Sequence, residues 1–230
     1  MSLTQILKEN ISISENQLQH FELFTDMLLE TNKFLNLTSI TDEDEVAIKH
    51  YLDSLSVFDA IDIEQNAKII DVGTGAGFPS VPMLIFRGDL QMTMLDSLNK
   101  RLDFIRNSLD KLGLDANLIH GRAEDLARDK KYREQYDLSV SRAVANLSTL
   151  TEYCLPFVKL GGQFISYKSG EVDTEVAESK SAVFLLGGKV KDVVKFELGE
   201  SGRSFIVIDK VKGTPKTYPR KAGTPSKKPL

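Results

Sequence analysis

The segment Ile69-Ile70-Asp71-Val72-Gly73-Thr74-Gly75-Ala76-Gly77-Phe78-Pro79 constrains this chain more than any other. The apolar, β-branched run predicts a strand at Lys68–Val72, and the residues after the glycines predict a helix. Glycine allows the chain to turn tightly and to lay its backbone against a ligand that a Cβ atom would push away. Pro79 suits the first turn of the following helix. A strand, a glycine loop and a helix in this order open an α/β sheet whose ligands bind at the carboxyl ends of its strands.

The rest of the chain fits such a sheet. From Ala67 onward, short apolar runs alternate with helical periods, as a parallel sheet with crossover helices requires. Further strands are expected at Gln91–Leu95, Ala116–Ile119, Leu138–Val140, Gln163–Tyr167, Val190–Phe196 and Ser204–Ile208. The clearest helix is Lys100–Leu112, with Leu102, Ile105, Leu109 and Leu112 on one face and Gly113 as its stop. Ahead of the sheet, Leu18, Phe21, Phe24, Leu28 and Leu35 mark a helix over 14–36 that Ser14 caps. Val46, Ile48, Leu52, Leu55 and Phe58 mark a second from about Asp44 to Phe58. The expected fold is α/β: one Rossmann-like, mostly parallel sheet with helices on both faces. A helical extension (1–60), a sheet domain (61–212) and a basic C-terminal tail (213–230) are expected to make up one structural domain.

A chain of 230 residues that is 41% apolar can bury a full core. No stretch of about 18 or more apolar residues occurs, and the first residues lack the basic-then-apolar layout of an export signal, so a cytoplasmic protein without membrane association is expected. Cys154 is the single cysteine and His20, His50 and His120 are scattered, which predicts neither a disulfide nor a metal site. Formal net charge is −4, yet every charged side chain from Lys210 onward is basic: Lys210, Lys212, Lys216, Arg220, Lys221, Lys227 and Lys228. A basic segment on an acidic body can hold phosphates at one place and discourage indiscriminate binding elsewhere. A solvated tail is the competing reading.

Two ligands suit the glycine loop. A dinucleotide prefers glycine at the place of Phe78, whereas S-adenosylmethionine prefers a leading acid and the alternation Gly73, Gly75, Gly77. A cationic sulfonium with an amino group has use for the Asp71 carboxylate, which would repel a pyrophosphate. Asp96 ends the next strand, at the spacing where this fold presents an acid to ribose hydroxyls. Gly121-Arg122-Ala123-Glu124-Asp125 sits at the next strand-to-helix turn, placed for backbone amides and a carboxylate to read the adenine amino edge. After the fourth strand, Ser141-Arg142-Ala143-Val144 is the remaining turn on that edge of the sheet, which makes Arg142 a site candidate. An NAD-dependent enzyme or a nucleotide-binding regulator on a similar sheet is the alternative.

These residues together resemble the bacterial small-subunit ribosomal RNA guanine-N(7) methyltransferases, also called glucose-inhibited division protein B. The likeness runs through Asn36-Leu37-Thr38, Ile48-Lys49-His50, Leu52-Asp53-Ser54, the glycine loop, Leu95-Asp96-Ser97 with Lys100-Arg101, Gly121-Arg122-Ala123-Glu124, Ser141-Arg142-Ala143-Val144-Ala145 and Gly161-Gly162 before a strand ending at Lys168. Tyr218-Pro219-Arg220 and Gly223-x-Pro225 continue it into the tail. Thr31 stands where that family usually has tryptophan. The resemblance implies methyl transfer from S-adenosylmethionine to N(7) of a guanine in 16S ribosomal RNA, free or in the small ribosomal subunit, by a monomer. It implies a cofactor held at Gly73, Phe78, Ala123, Glu124 and Arg142, with Asp96 on the ribose. A methyltransferase acting on a small molecule or protein is the second reading.

The guanine N(7) lone pair attacks without first losing a proton, so alignment and exclusion of water suffice and no general base is expected. Cys154 has no activating cation beside it in the sequence and reads as core. His50, Asp53 and Ser54 share a helical face and read as a buried polar network, since no nucleophile elbow surrounds Ser54. Phosphate contacts are expected from Arg142, Lys168, Arg203, Arg220 and Lys221, and Lys100 and Arg101 are expected to join the tail in one positive surface around the cofactor mouth.

Overall fold

The computed structural model describes residues 2–142 and 145–230. Ser2 caps α1 (Leu3–Asn10), and Ser14 forms a reciprocal capping box with Gln17 at the start of α2 (Glu15–Leu35). Asn36, in the left-handed region, ends α2. The second expected helix is a broken series: α3 (Glu43–Val46), a π-helical turn (Ala47–Leu52), α4 (Asp53–Leu55) and α5 (Val57–Ala60). Every residue from His50 to Leu55 is buried. A run enclosed on all sides carries no one-faced periodicity, which is why the break is not visible in the apolar spacing.

The sheet then forms from β1 (Lys68–Val72), α6 (Ser80–Phe86), β2 (Gln91–Asp96), α7 (Asn99–Leu112), β3 (Asn117–His120), α8 (Ala123–Leu126) and β4 (Tyr136–Arg142). It continues through α9 (Leu147–Cys154), β5 (Val158–Ser169), α10 (Asp173–Leu185), β6 (Gly188–Leu198), β7 (Ser201–Lys210) and α11 (Thr224–Lys227). All seven expected strands are present, most of them longer than their apolar centres. The order is β3-β2-β1-β4-β5-β7-β6. β1 to β5 run parallel, and β7 is antiparallel to both of its neighbours because the β6–β7 hairpin turns at Gly199. The chain works outward from β1 to β3 and then crosses back to lay β4 on the other side of β1. That reversal opens a crevice at the carboxyl ends of β1 and β4, where α/β sheets bind ligands.

Both faces of the sheet are covered. Ile69, Met92, Met94, Leu138, Val140 and Ile165 join Phe21, Phe24, Leu28 and Tyr51 of the extension and Ile105 of α7 in one cluster. Ile70, Val72, Leu95, Phe164, Ile206 and Ile208 join Leu150 and Cys154 of α9 in the other. Alternate residues of a strand thus feed opposite cores, as in sheets buried on both sides. The helical extension shares its core with the sheet.

The tail is packed on the body, with only the short α11 as regular structure. Arg133 donates to the carbonyls of Thr214 (2.6 Å) and Tyr218 (3.0 Å), and Thr149 Oγ1 donates to the Pro225 carbonyl. Arg220 grips both oxygens of Glu152, which is fully buried. Lys210, counted among the basic residues, is itself buried and donates to the Leu155 carbonyl and the Thr214 hydroxyl. The solvated-tail reading fails because the tail's partners lie far back in the chain, beyond the reach of local composition. No helix among the described residues is long and apolar enough to cross a membrane.

Candidate functional site

A cleft of about 420 Å³ lies at the crevice, lined by Gly73, Gly75, Asp96, Ser97, Arg101, Arg122, Ala123, Glu124, Arg142 and Tyr153 among others. The loop that opens it is folded onto β2: the N–H groups of Gly73 (2.8 Å) and Thr74 (3.1 Å) donate to the Leu95 carbonyl. Gly75 N–H donates to Asp96 Oδ2 at 3.0 Å, so the loop and the acid of the next strand fix each other. Gly73 (φ 79°) and Gly75 (φ 60°) take left-handed conformations that favour glycine. A Cβ at Gly75 would meet no atom within 4 Å, and the open space beside it is the cleft.

Three residues expected at the ligand stand behind it. Gly77 serves packing, since a Cβ there would come within 2.6 Å of Val81 Cγ2. Asp71 is fully buried; Oδ2 accepts from Ser80 Oγ at 2.7 Å, and burial pushes its carboxyl up to about 7, against the opposing pull of the Ser80 and Thr74 hydroxyls. The expectation that Asp71 faces a cationic ligand is corrected: the acids that line the cleft are Asp96 and Glu124, and Asp71 ties the loop to the start of α6. Phe78 is also buried, stacked on the His50 ring at 4.2 Å and 14°, with the Arg142 guanidinium 5.3 Å from its centroid. Its side chain supports Arg142 and does not line the cleft.

Arg142 is where the extension meets the sheet. Nη1 donates to Asp53 Oδ2 (2.7 Å) and to the Lys49 carbonyl (3.1 Å), and Nη2 donates to His50 Nδ1 (2.6 Å). An arginine can only donate, so the accepting ring is neutral and its Nε2–H points to Thr38 Oγ1 at 2.8 Å. Burial, and then the Arg142 charge, pull His50 down to about 3. Asn32 fixes Thr38 by accepting from its N–H and donating to its carbonyl, both at 2.9 Å. The other Asp53 oxygen accepts from Arg203 Nε at 2.9 Å. Ser54 Oγ donates to the His50 carbonyl, so His50, Asp53 and Ser54 are the buried polar network the sequence suggests. Asn32 was not singled out in the sequence; the Asn36-Leu37-Thr38 motif is the one signal near it.

The other expected cations are distributed differently from one positive surface. Lys168 is engaged by Glu175 (2.7 Å) and the Ala145 carbonyl (2.8 Å), Arg203 by Asp53, and Arg220 by Glu152. Lys100 lines a separate groove of about 620 Å³ between α2 and α7, with Met27, Thr31 and Phe104. Arg101 lines the cleft and Lys221 is exposed. Helix α7 belongs to one core and the tail's Tyr218 packs on the other. The single surface joining Lys100, Arg101 and the tail is therefore not formed: the two groups flank the cleft from opposite layers. Arg122, exposed at the cleft's edge, is the cation sequence reasoning did not assign. Ala143 and Val144 lie outside the described residues.

Among the described residues, the lining of the cleft includes no cysteine or histidine. Cys154 is fully buried and burial pushes its thiol up. No group of three or more His, Cys, Asp or Glu side chains that could hold a metal occurs among the described residues.

The comparisons agree with this geometry. The family model described as rRNA small subunit methyltransferase G matches residues 17–205. The chain is 49% identical to the ribosomal RNA small subunit methyltransferase G of Alkaliphilus metalliredigens, covering 95% of this chain and 92% of the relative. It is 48% identical to that of Desulforamulus reducens, covering 100% and 98%. Among solved structures, a SAM-dependent methyltransferase from Aquifex aeolicus superposes with a TM-score of 0.55 at 17% identity, over 75% of this chain and 96% of that one, which shows a shared fold. With its cleft, its glycine loop and a family match along most of its length, this chain belongs to the rRNA small subunit methyltransferase G family.

Proposed function

We propose that this protein transfers the methyl group of S-adenosylmethionine to N(7) of a guanine in 16S ribosomal RNA, without a general base. The observation that carries the reading is the convergence of Gly75, Asp96, Glu124 and Arg142 on one cleft at the sheet's reversal point. The cleft fits the cofactor: its floor is backbone with no side chain in the way, one acid ends β2 where a ribose is held, and a second begins α8 where an adenine amino group would lie. Gly73 and Ala123 shape its walls. When bound, the cofactor supplies an electrophilic methyl group on a sulfonium.

The protein's own residues then orient and enclose. Asp96, locked by Gly75 and Leu98 N–H groups, offers a fixed acceptor. Arg142, held at three points by the extension, stands between the cleft and the Asp53–Arg203 network and defines the acceptor side. Because N(7) carries a lone pair, the neutral His50 has no proton to take; its role is to hold Arg142. In this reading residues 1–60 form the acceptor side, 61–212 the cofactor sheet and 213–230 a packed basic strap. The protein works as a cytoplasmic monomer on RNA or the small ribosomal subunit, with the exposed Arg122 and Lys221 as phosphate contacts and Arg101, half-exposed and 3.5 Å from Asp96, beside them at the cleft.

The test is transfer of labelled methyl to isolated small subunits and to free 16S RNA, with chemical cleavage at N(7)-methylguanine to map the base. Transfer to a small molecule or protein instead would replace this reading. Thermal stabilisation by S-adenosylhomocysteine and not by NAD checks the cleft independently.

A further inference from the structure

We propose that the last eight residues are part of the cofactor site: the Gly223 N–H fixes the Glu124 carboxylate so that its second oxygen selects a purine bearing an amino group. The proposal rests on the reading above, in which Glu124 faces the adenine.

Glu124 is 4% exposed and lines the cleft. A carboxylate this enclosed needs donors, and among the described residues it has one: Gly223 N–H to Oε1 at 2.8 Å, from 99 residues further along the chain. Gly223 takes φ 79°, a turn geometry that favours glycine and aims its N–H inward. The turn is anchored on both sides. Arg220 is clamped to the buried Glu152, and the buried Pro225 gives its carbonyl to Thr149 Oγ1. Ser226 lies against the hydroxyl of Tyr153, whose ring lines the same cleft. The tail thus touches two walls of the pocket and, among the described residues, supplies the one donor to one of its two acids.

With Oε1 occupied by a backbone donor, Oε2 is the oxygen left to accept from a ligand. An exocyclic amino group donates to it; a 6-oxo group in the same place presents a lone pair and is repelled. Without the tail, Glu124 is free to rotate and to hydrate, and a carboxylate that can turn away from the base discriminates less between the two purines.

Calorimetry with S-adenosylhomocysteine and its 6-oxo counterpart, S-inosylhomocysteine, tests this on four proteins: wild type, a chain ending at Ala222, full-length Gly223→Val and Glu124→Gln. The truncation keeps Arg220 on Glu152, and Gly223→Val opens the turn in an intact chain, so one reports if the other does not fold. The wild type should prefer the adenosyl ligand, and both tail variants should narrow that preference three- to tenfold. Equal loss of affinity for both ligands, with the ratio kept, means that the tail only braces the pocket and overturns the proposal. If the tail variants keep the ratio while Glu124→Gln loses it, the proposal falls and the cofactor reading stands. If Glu124→Gln also keeps the ratio, the placement of the adenine is wrong and both fall.

Discussion

Arg142 donates to His50 Nδ1 at 2.6 Å, joining the end of a sheet strand to a helical turn 92 residues earlier in the chain. The ring can accept only while neutral; burial, and then the guanidinium beside it, keep it so, and the contact that positions Arg142 thereby adds to the suppression of charge on His50.

The Asp53 carboxylate is the shared counter-ion of Arg142 and Arg203, and all three are largely buried. Asp53→Ala leaves two guanidiniums unpaired and should cost about 3–5 kcal/mol, with Asp53→Asn costing less. Urea unfolding should show a lower midpoint with little change in slope. A midpoint within error of wild type would mean that solvent already neutralises this cluster.

Two buried groups give opposite pH dependences. His50 titrates near 3 in the fold against 6.5 when unfolded, so the unfolded chain binds the extra proton between those values and stability is lost as pH falls from 6.5 towards 3. Asp71 titrates near 7 against 3.8, so the folded chain holds the extra proton and stability is lost as pH rises from about 4 to 7. The two slopes oppose each other between about pH 4 and 6.5. Relative to wild type, Asp71→Asn should gain stability as pH rises through that window and His50→Gln should lose it, each by up to about 1.4 kcal/mol per pH unit. Parallel thermal-unfolding profiles for the three proteins would contradict both assignments.

Gly73→Asp places a side chain at the cleft, and Arg142→Ala removes one of its walls. Each should weaken S-adenosylhomocysteine binding about tenfold or more while circular dichroism still reports a folded sheet. Unchanged calorimetric affinity in both would remove the site assignment.

The cations separate into free and committed ones. Arg122→Ala and Lys221→Ala should each reduce the slope of log affinity for RNA against log salt by roughly 0.7 to 0.9. Arg220→Ala should instead lower stability, because the buried Glu152 loses its partner, and leave the slope as it is. The reverse pattern would show the tail detaching to meet RNA.

The sequence by itself determined the strands, the long helices α2 and α7 and the glycine loop, because each is written in residues that are near neighbours: the apolar run at Ile69 and Ile70, the cap at Ser14, the stop at Gly113. It also marked Asp96, Glu124 and Arg142, which sit at strand ends whatever packs around them. What only the tertiary structure decided are contacts between distant segments. Asp71 turns under the loop to Ser80, His50 and Asp53 converge on Arg142 from another layer, and Arg220 and Gly223 reach back to Glu152 and Glu124. Local spacing sets which elements form; burial of charge must be compensated by whichever groups the fold brings together, and that choice is made across the chain.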